Sequence, residues 1–116
     1  MQTMTNAVRA YASAAEHRNV REQEADIFRR ANAALRYARE SAKRISRVRA
    51  LADNDRLWMT ILGLLHDPAN ALPDELRASI ISVGLAVQRE MQRDSPDFDF
   101  LIEINENIAA GLSGNS

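Results

Sequence analysis

From Asn19 to Ala52 the chain contains neither proline nor glycine. Nothing in that run removes a backbone donor or loosens the backbone, so an uninterrupted helix is the simplest structure open to it. The apolar positions agree. Phe28, Ala31, Leu35, Ala38, Ala42 and Ile45, followed by Val48 or Ala52, recur at spacings of three and four, one stripe close to a heptad seam. Much of the stripe is alanine, which lets a neighbouring helix come close while burying little area per residue. Basic residues occupy the other faces, and Arg36–Glu40 and Glu40–Arg44 have the four-residue spacing of surface ion pairs. The pattern predicts one long helix over 19–52, preceded by a short helical segment around Val8 and Tyr11.

Beyond Ala52 the punctuation is denser. Asp53 or Asn54 suits an N-cap, and a second helix then runs to about His66. Leu57, the single tryptophan Trp58, Ile61, Leu62, Leu64 and Leu65 cover more than half of its circumference. HDPANALPDE follows: Asp67-Pro68 breaks the helix, Asn70 suits a turn, and Pro73 suits a first helical position. Asp74 and Glu75 behind it favour the positive end of a third helix, about Pro73 to Arg93. That helix carries Leu76, Ile80, Val83, Val87 and Met91 on one stripe, widened by Ile81, Gly84 and Leu85, and so much apolar surface predicts a central position. DSPDF is the next break, with Ser95 as cap and Pro96 as start of a last helix. There Leu101, Ile104, Ile108 and Leu112 share a face, and Gly111 and Gly114 end it; the tail 113–116 is expected to be mobile. No stretch alternates like a strand and none repeats. The expectation is an all-α helical bundle with one long Ala-rich helix, three shorter helices and a short N-terminal helical segment. At 116 residues it forms a single domain over 1–116.

Several function classes are excluded by what is missing. There is no cysteine, hence no disulfide scaffold, no thiolate metal site and no cysteine nucleophile. His17 and His66 stand far apart without the spacing of metal ligands. Asp94, Asp97 and Asp99 lack the glycine and the closing glutamate of a calcium loop, and acids before a helix are ordinary capping groups. No serine sits in a G-x-S-x-G turn, and no glycine-rich phosphate loop is present. No enzyme activity, cofactor or metal is expected. No run reaches the length of a membrane span and the N-terminus lacks a secretory pattern, so a cytoplasmic location is expected. Charge is uneven. Residues 18–52 hold ten basic and four acidic side chains, whereas 53–116 hold four and eleven. Such a split marks either an interaction surface or helices that neutralise one another within the fold.

Four segments together resemble the FlaF family of flagellar biosynthesis regulators. REQEADIFRRANAAL (21–35) is similar to the opening of the family's long helix, and ALADNDRLWMTIL (50–62) contains its Asn-x-x-Leu-Trp element as Asn54, Leu57 and Trp58. NALPDELRASIISVGLAV (70–87) follows its Asn-x-Leu-Pro-x-x-Leu-Arg-Ala pattern, and LIEINENIAAGL (101–112) its C-terminal Leu-Ile-x-Ile-Asn…Gly-Leu. The resemblance spans about 8–112, with a long helix richer in Ala and Arg than the family pattern. It implies a small cytoplasmic, non-enzymatic helical protein needed for flagellin production and export, with flagellin as partner and the FlbT regulator beside it.

A helical protein can mask the amphipathic terminal helices of flagellin by holding one in an apolar groove. Leu57, Trp58, Ile61 and Leu65 form one candidate wall and Ile104 and Ile108 another, with Arg36, Lys43 and Arg47 as a polar rim that steers an acidic partner. The same apolar residues equally suit a closed core. Asn105, among isoleucines, reads either as an exposed neighbour of the stripe or as a polar group that fixes pairing. Two other readings compete. The basic residues of 18–52 suit an RNA-binding regulator, although Tyr37 alone offers a stacking surface among the central ones. The Ala-rich stripe suits an adaptor that self-associates. Oligomeric state is not set by the sequence.

Overall fold

The computed structural model describes residues 2–112. It consists of four helices: α1 (Gln2–Glu40), α2 (Arg44–His66), α3 (Asp74–Met91) and α4 (Phe98–Leu112), with no strand among the described residues. The all-α bundle is as expected; the division of its first half is not. The expected helix over 19–52 does not exist, because the chain turns at residues 41–43. The expected short N-terminal helix is instead the first half of the 39-residue α1. Asp53 and Asn54, expected as a cap, lie inside α2, with Asn54 fully buried. The tail expected to be mobile lies outside the described residues.

Serine makes the turn that proline and glycine do not. Ser41 Oγ accepts the Lys43 N–H at 3.1 Å, and the Ser41 N–H closes a tight last turn onto the Ala38 carbonyl. Lys43 is extended, at φ −83° and ψ 119°. A serine hydroxyl competing with the helix ladder is enough to break it where tertiary packing benefits. The reversal lays α2 back along α1, and it separates Glu40 from the expected partner Arg44. Glu40 pairs with Arg39, and Arg36 crosses to Glu106 of α4.

The remaining connections follow the sequence closely. Asp67 Oδ1 accepts the Ala69 N–H, while Asn70 donates to the Leu64 carbonyl and accepts from the Leu72 N–H, so one side chain ties the end of α2 to the approach to α3. Pro73 immediately precedes α3, and Asp74 and Glu75 occupy its first turn. At α4 the cap is Asp97 rather than Ser95: its carboxylate accepts the Phe100 N–H at 3.1 Å, and Glu90 holds the Asp97 N–H.

Packing runs α4–α1–α2–α3. The most extensive interface is α1 with α4, followed by α1 with α2 and α2 with α3, whereas α3 and α4 touch only briefly. On α1 the buried face is Ala25, Phe28, Asn32, Leu35 and Ala38; on α4 it is Leu101, Ile102, Asn105 and Ala109. Alanines at 25, 38 and 109 allow close approach, and Asn32 uses it by donating to the mid-helix carbonyl of Ile102 at 2.9 Å. The stripe that suited a self-association seam is thus largely consumed inside the chain at Phe28, Leu35 and Ala38; its continuation, Ile45 and Val48, is about half exposed.

The expectation that α3 is central is overturned. Its only buried residues are Gly84 and Val87, and Leu76 and Leu85 are 47% and 45% exposed. It flanks the bundle, lying on α2 alone for most of its length.

Candidate partner-binding site

Trp58 is the hub of the interior. It has no exposed surface, and Phe28 of α1 meets its ring edge-on at a centroid distance of 5.8 Å. Its indole N–H donates to Asn105 Oδ1 at 2.9 Å, and the Asn105 amide donates to Asn54 Oδ1 at 2.7 Å. Asn54 in turn donates to the Met91 sulfur at 3.3 Å. A chain of four side chains therefore runs through the apolar core and links α2, α4 and α3. Each buried donor and acceptor in it is matched to one specific neighbour, and leaving any of them unmatched costs about 1–3 kcal/mol. Asn105 is the polar group that fixes pairing: it sets the register of α4 against α2.

The structure spreads the nine sequence-derived candidates over three settings. Trp58 and Leu65 are buried. Leu57, Ile61, Ile104 and Ile108 are half-buried, packed against the core on one side and open on the other. Arg36, Lys43 and Arg47 are exposed; Arg36 is paired with Glu106, and Arg47 reaches the Ser41 carbonyl at 3.4 Å. The two proposed walls share one core but are not joined by a basic rim, because Lys43 and Arg47 sit at the α1–α2 turn.

The sequence missed the contribution of α3. Ile80 and Val83 pack against the same core as Ile104 and Ile108, and all four keep part of their surface open. α3 and α4 touch only briefly, so the seam between them is weakly packed, and these four half-open residues lie on its two helices. Leu76, one turn before Ile80, extends the apolar surface at the same seam-ward stripe of α3. The signal was the apolar excess of this helix, which was read as a sign of burial. Elsewhere on α2, Met59 is 58% exposed.

Electrostatically the fold uses part of its basic excess internally. Arg29 pairs with Asp26, Arg36 with Glu106, and Arg39 with both Glu40 and Asp99. Hydrogen bonding to Asp99, then to Glu40, holds the Arg39 guanidinium above its already high ordinary pKa, so it stays charged. Two of these pairs join α1 to α4, which is the internal neutralisation that the uneven charge allowed. This weakens the RNA reading, since fewer cations remain free to track phosphates.

Total accessible surface is 8466 Å², against about 6,300 Å² for a compact monomer of this mass. The radius of gyration is 17.3 Å, against about 13 Å for a compact chain of this length. A visible source of the excess is α1, about 58 Å long by its helical rise, which outruns the 15-residue α4 that lies on it.

A family model described as flagellar protein FlaF matches residues 7–112. No curated protein and no solved structure matches the chain.

Proposed function

Because the chain belongs to the FlaF family of flagellar proteins, we propose that it is a flagellin-binding export chaperone and regulator of flagellin synthesis. In this reading it is a non-enzymatic cytoplasmic protein that covers an amphipathic flagellin helix until secretion, with the FlbT regulator as a second partner. The observation that carries the binding mode is that Ile80 and Val83 of α3 and Ile104 and Ile108 of α4 pack on one core yet stay half open, on two helices that touch only briefly. Isolated monomers avoid contiguous apolar openings, whereas helix-binding proteins require one. An incoming helix would bury its own apolar stripe there and close the bundle on its fourth side. Trp58 contributes from beneath, by holding α2 and α4 at a fixed separation, rather than as an exposed anchor. Among the described residues no helix is long and apolar enough to cross a membrane, which is compatible with a role before export.

The test is light scattering after size-exclusion of the protein mixed with flagellin from the same genome, full-length and lacking either terminus. A stable complex that is lost with one terminus is expected. No complex at micromolar concentration with any form would remove flagellin binding from the account.

A further inference from the structure

A cleft of about 620 Å³ lies between the α1–α2 turn and the α3–α4 connection, within the size range of ligand sites. Its basic lining is Arg39, Arg44 and Arg47, and its apolar lining includes Val48, Leu51 and Phe98. Arg39 is already engaged, at 2.5 Å from Asp99 and 2.9 Å from Glu40. Arg44 and Arg47 make no ion pair among the described residues. Both sit in the first turn of α2, where there is no acidic residue and no side-chain cap. Cations at the positive end of their own helix repel it, and an anion between them would relieve that repulsion. The acidic lining is Asp94, Asp97 and Asp99; Asp99 is taken up by Arg39, and the other two limit which anion fits beside Arg44 and Arg47. A phosphodiester chain would press several negative charges onto these carboxylates. A single carboxylate beside an apolar side chain meets the guanidiniums and the apolar lining together, and brings one negative charge rather than several.

We propose that this cleft binds a carboxylate-bearing peptide segment, with the carboxylate on Arg44 and Arg47 and a neighbouring apolar side chain against Val48, Leu51 and Phe98. Guanidinium groups are suited to this, since they present paired donors to both carboxylate oxygens. The site is separate from the α3–α4 seam, so it stands or falls independently of flagellin-helix binding.

The probes are two peptides, acetyl-Gly-Leu-Leu-Glu-amide and its Gln counterpart, titrated into the full-length ¹⁵N-labelled protein. The Glu peptide is expected to shift the amides of Val48 and Leu51 and the side-chain N–H signals of Arg44 and Arg47 in a saturable way. The Gln peptide is expected to bind about tenfold more weakly, as is the Glu peptide to Arg44→Gln or Arg47→Gln. Asp94→Asn should tighten binding, and Arg77→Gln, outside the cleft, should leave it unchanged. All of these positions are at the surface, and circular dichroism verifies that each variant is folded. Equal binding of both peptides, shifts centred elsewhere, or no saturable shift up to about 5 mM would overturn the proposal. So would tighter capture of a uridine oligonucleotide by the same arginines, which assigns the cleft to nucleic acid. The same signals moving with protein concentration alone would also overturn it and assign the cleft to a second copy of the chain.

Discussion

Trp58, Asn105 and Asn54 form a connected unit, so they should respond to mutation as one. Asn105→Ala strips the acceptor from the Trp58 N–H and the donor from Asn54 Oδ1, both in a site without water access, and should cost about 3 kcal/mol in urea unfolding. Trp58→Phe keeps most of the volume and removes only the N–H. Its combination with Asn105→Ala should fall short of additivity by about 1 kcal/mol or more; simple additivity would mean that the hydrogen bond contributes nothing. Two glycines give a contrast of sign. A Cβ on Gly84 would lie 2.7 Å from Leu62 Cδ2 and 3.1 Å from Trp58 Cε3, and the indole is pinned by its hydrogen bond and cannot yield. Gly84→Ala should therefore destabilise by about 1–2 kcal/mol despite the better helix former. Gly63 has open space around the same position, so Gly63→Ala should stabilise by up to about 1 kcal/mol. At this scale the sequence was readable in part. Asn70 and Asp74 announced their roles through local spacing, because their partners are a few residues away. Asn105 was conspicuous but could not be placed, because its partners are Asn54 and Trp58, and Asn32 was passed over, because its partner is the distant Ile102 backbone.

Helix identity and helix boundaries were unequally legible. The C-terminal end of α2, both ends of α3 and the start of α4 lie near proline or aspartate and were found within a few residues, whereas α2 starts at Arg44 and not at the expected Asp53 or Asn54. The end of α1 carries no such mark. Its turn depends on one serine hydroxyl and on the gain from laying α2 against α1, which is a long-range effect that periodicity does not contain. The phase of the pattern held a weak clue: the buried positions of α2, Ala50, Asn54, Trp58, Leu62 and Leu65, form their own stripe and do not continue through Ile45 and Val48. For α3, apolar content was mistaken for centrality. A helix that buries only Gly84 and Val87 and touches mainly one neighbour is the weakest element of the bundle. Native-state hydrogen exchange should show its central amides about tenfold or more less protected than those of α4 and of residues 54–62 in α2. Adding flagellin should slow exchange in α3 more than in α2, because the incoming helix supplies the neighbour that α3 lacks. Equal protection of α3 and α4 in the free protein would mean that the seam is closed in solution.

At the scale of the whole molecule the chain exposes about a third more surface than a compact monomer of its mass, and α3 and α4, which share one core, keep half-open apolar residues on it. Of the candidate walls named from sequence, Leu57, Trp58, Ile61, Ile104 and Ile108 belong to this core and Leu65 is buried outside it, but which of their surfaces stay open depends on the placement of α3. The absence of cysteine makes the seam directly testable. Single thiols introduced by Ile80→Cys and Ile108→Cys, with Met59→Cys as a control on the outer face of α2, can be followed by the rate of maleimide labelling with and without flagellin. The account predicts that flagellin slows labelling at 80 and 108 by about tenfold or more and leaves 59 unchanged, as a helix seated in the seam would cover the first two alone. Protection at 59 with none at 80 and 108, or no protection at any of the three while the complex persists, would contradict it.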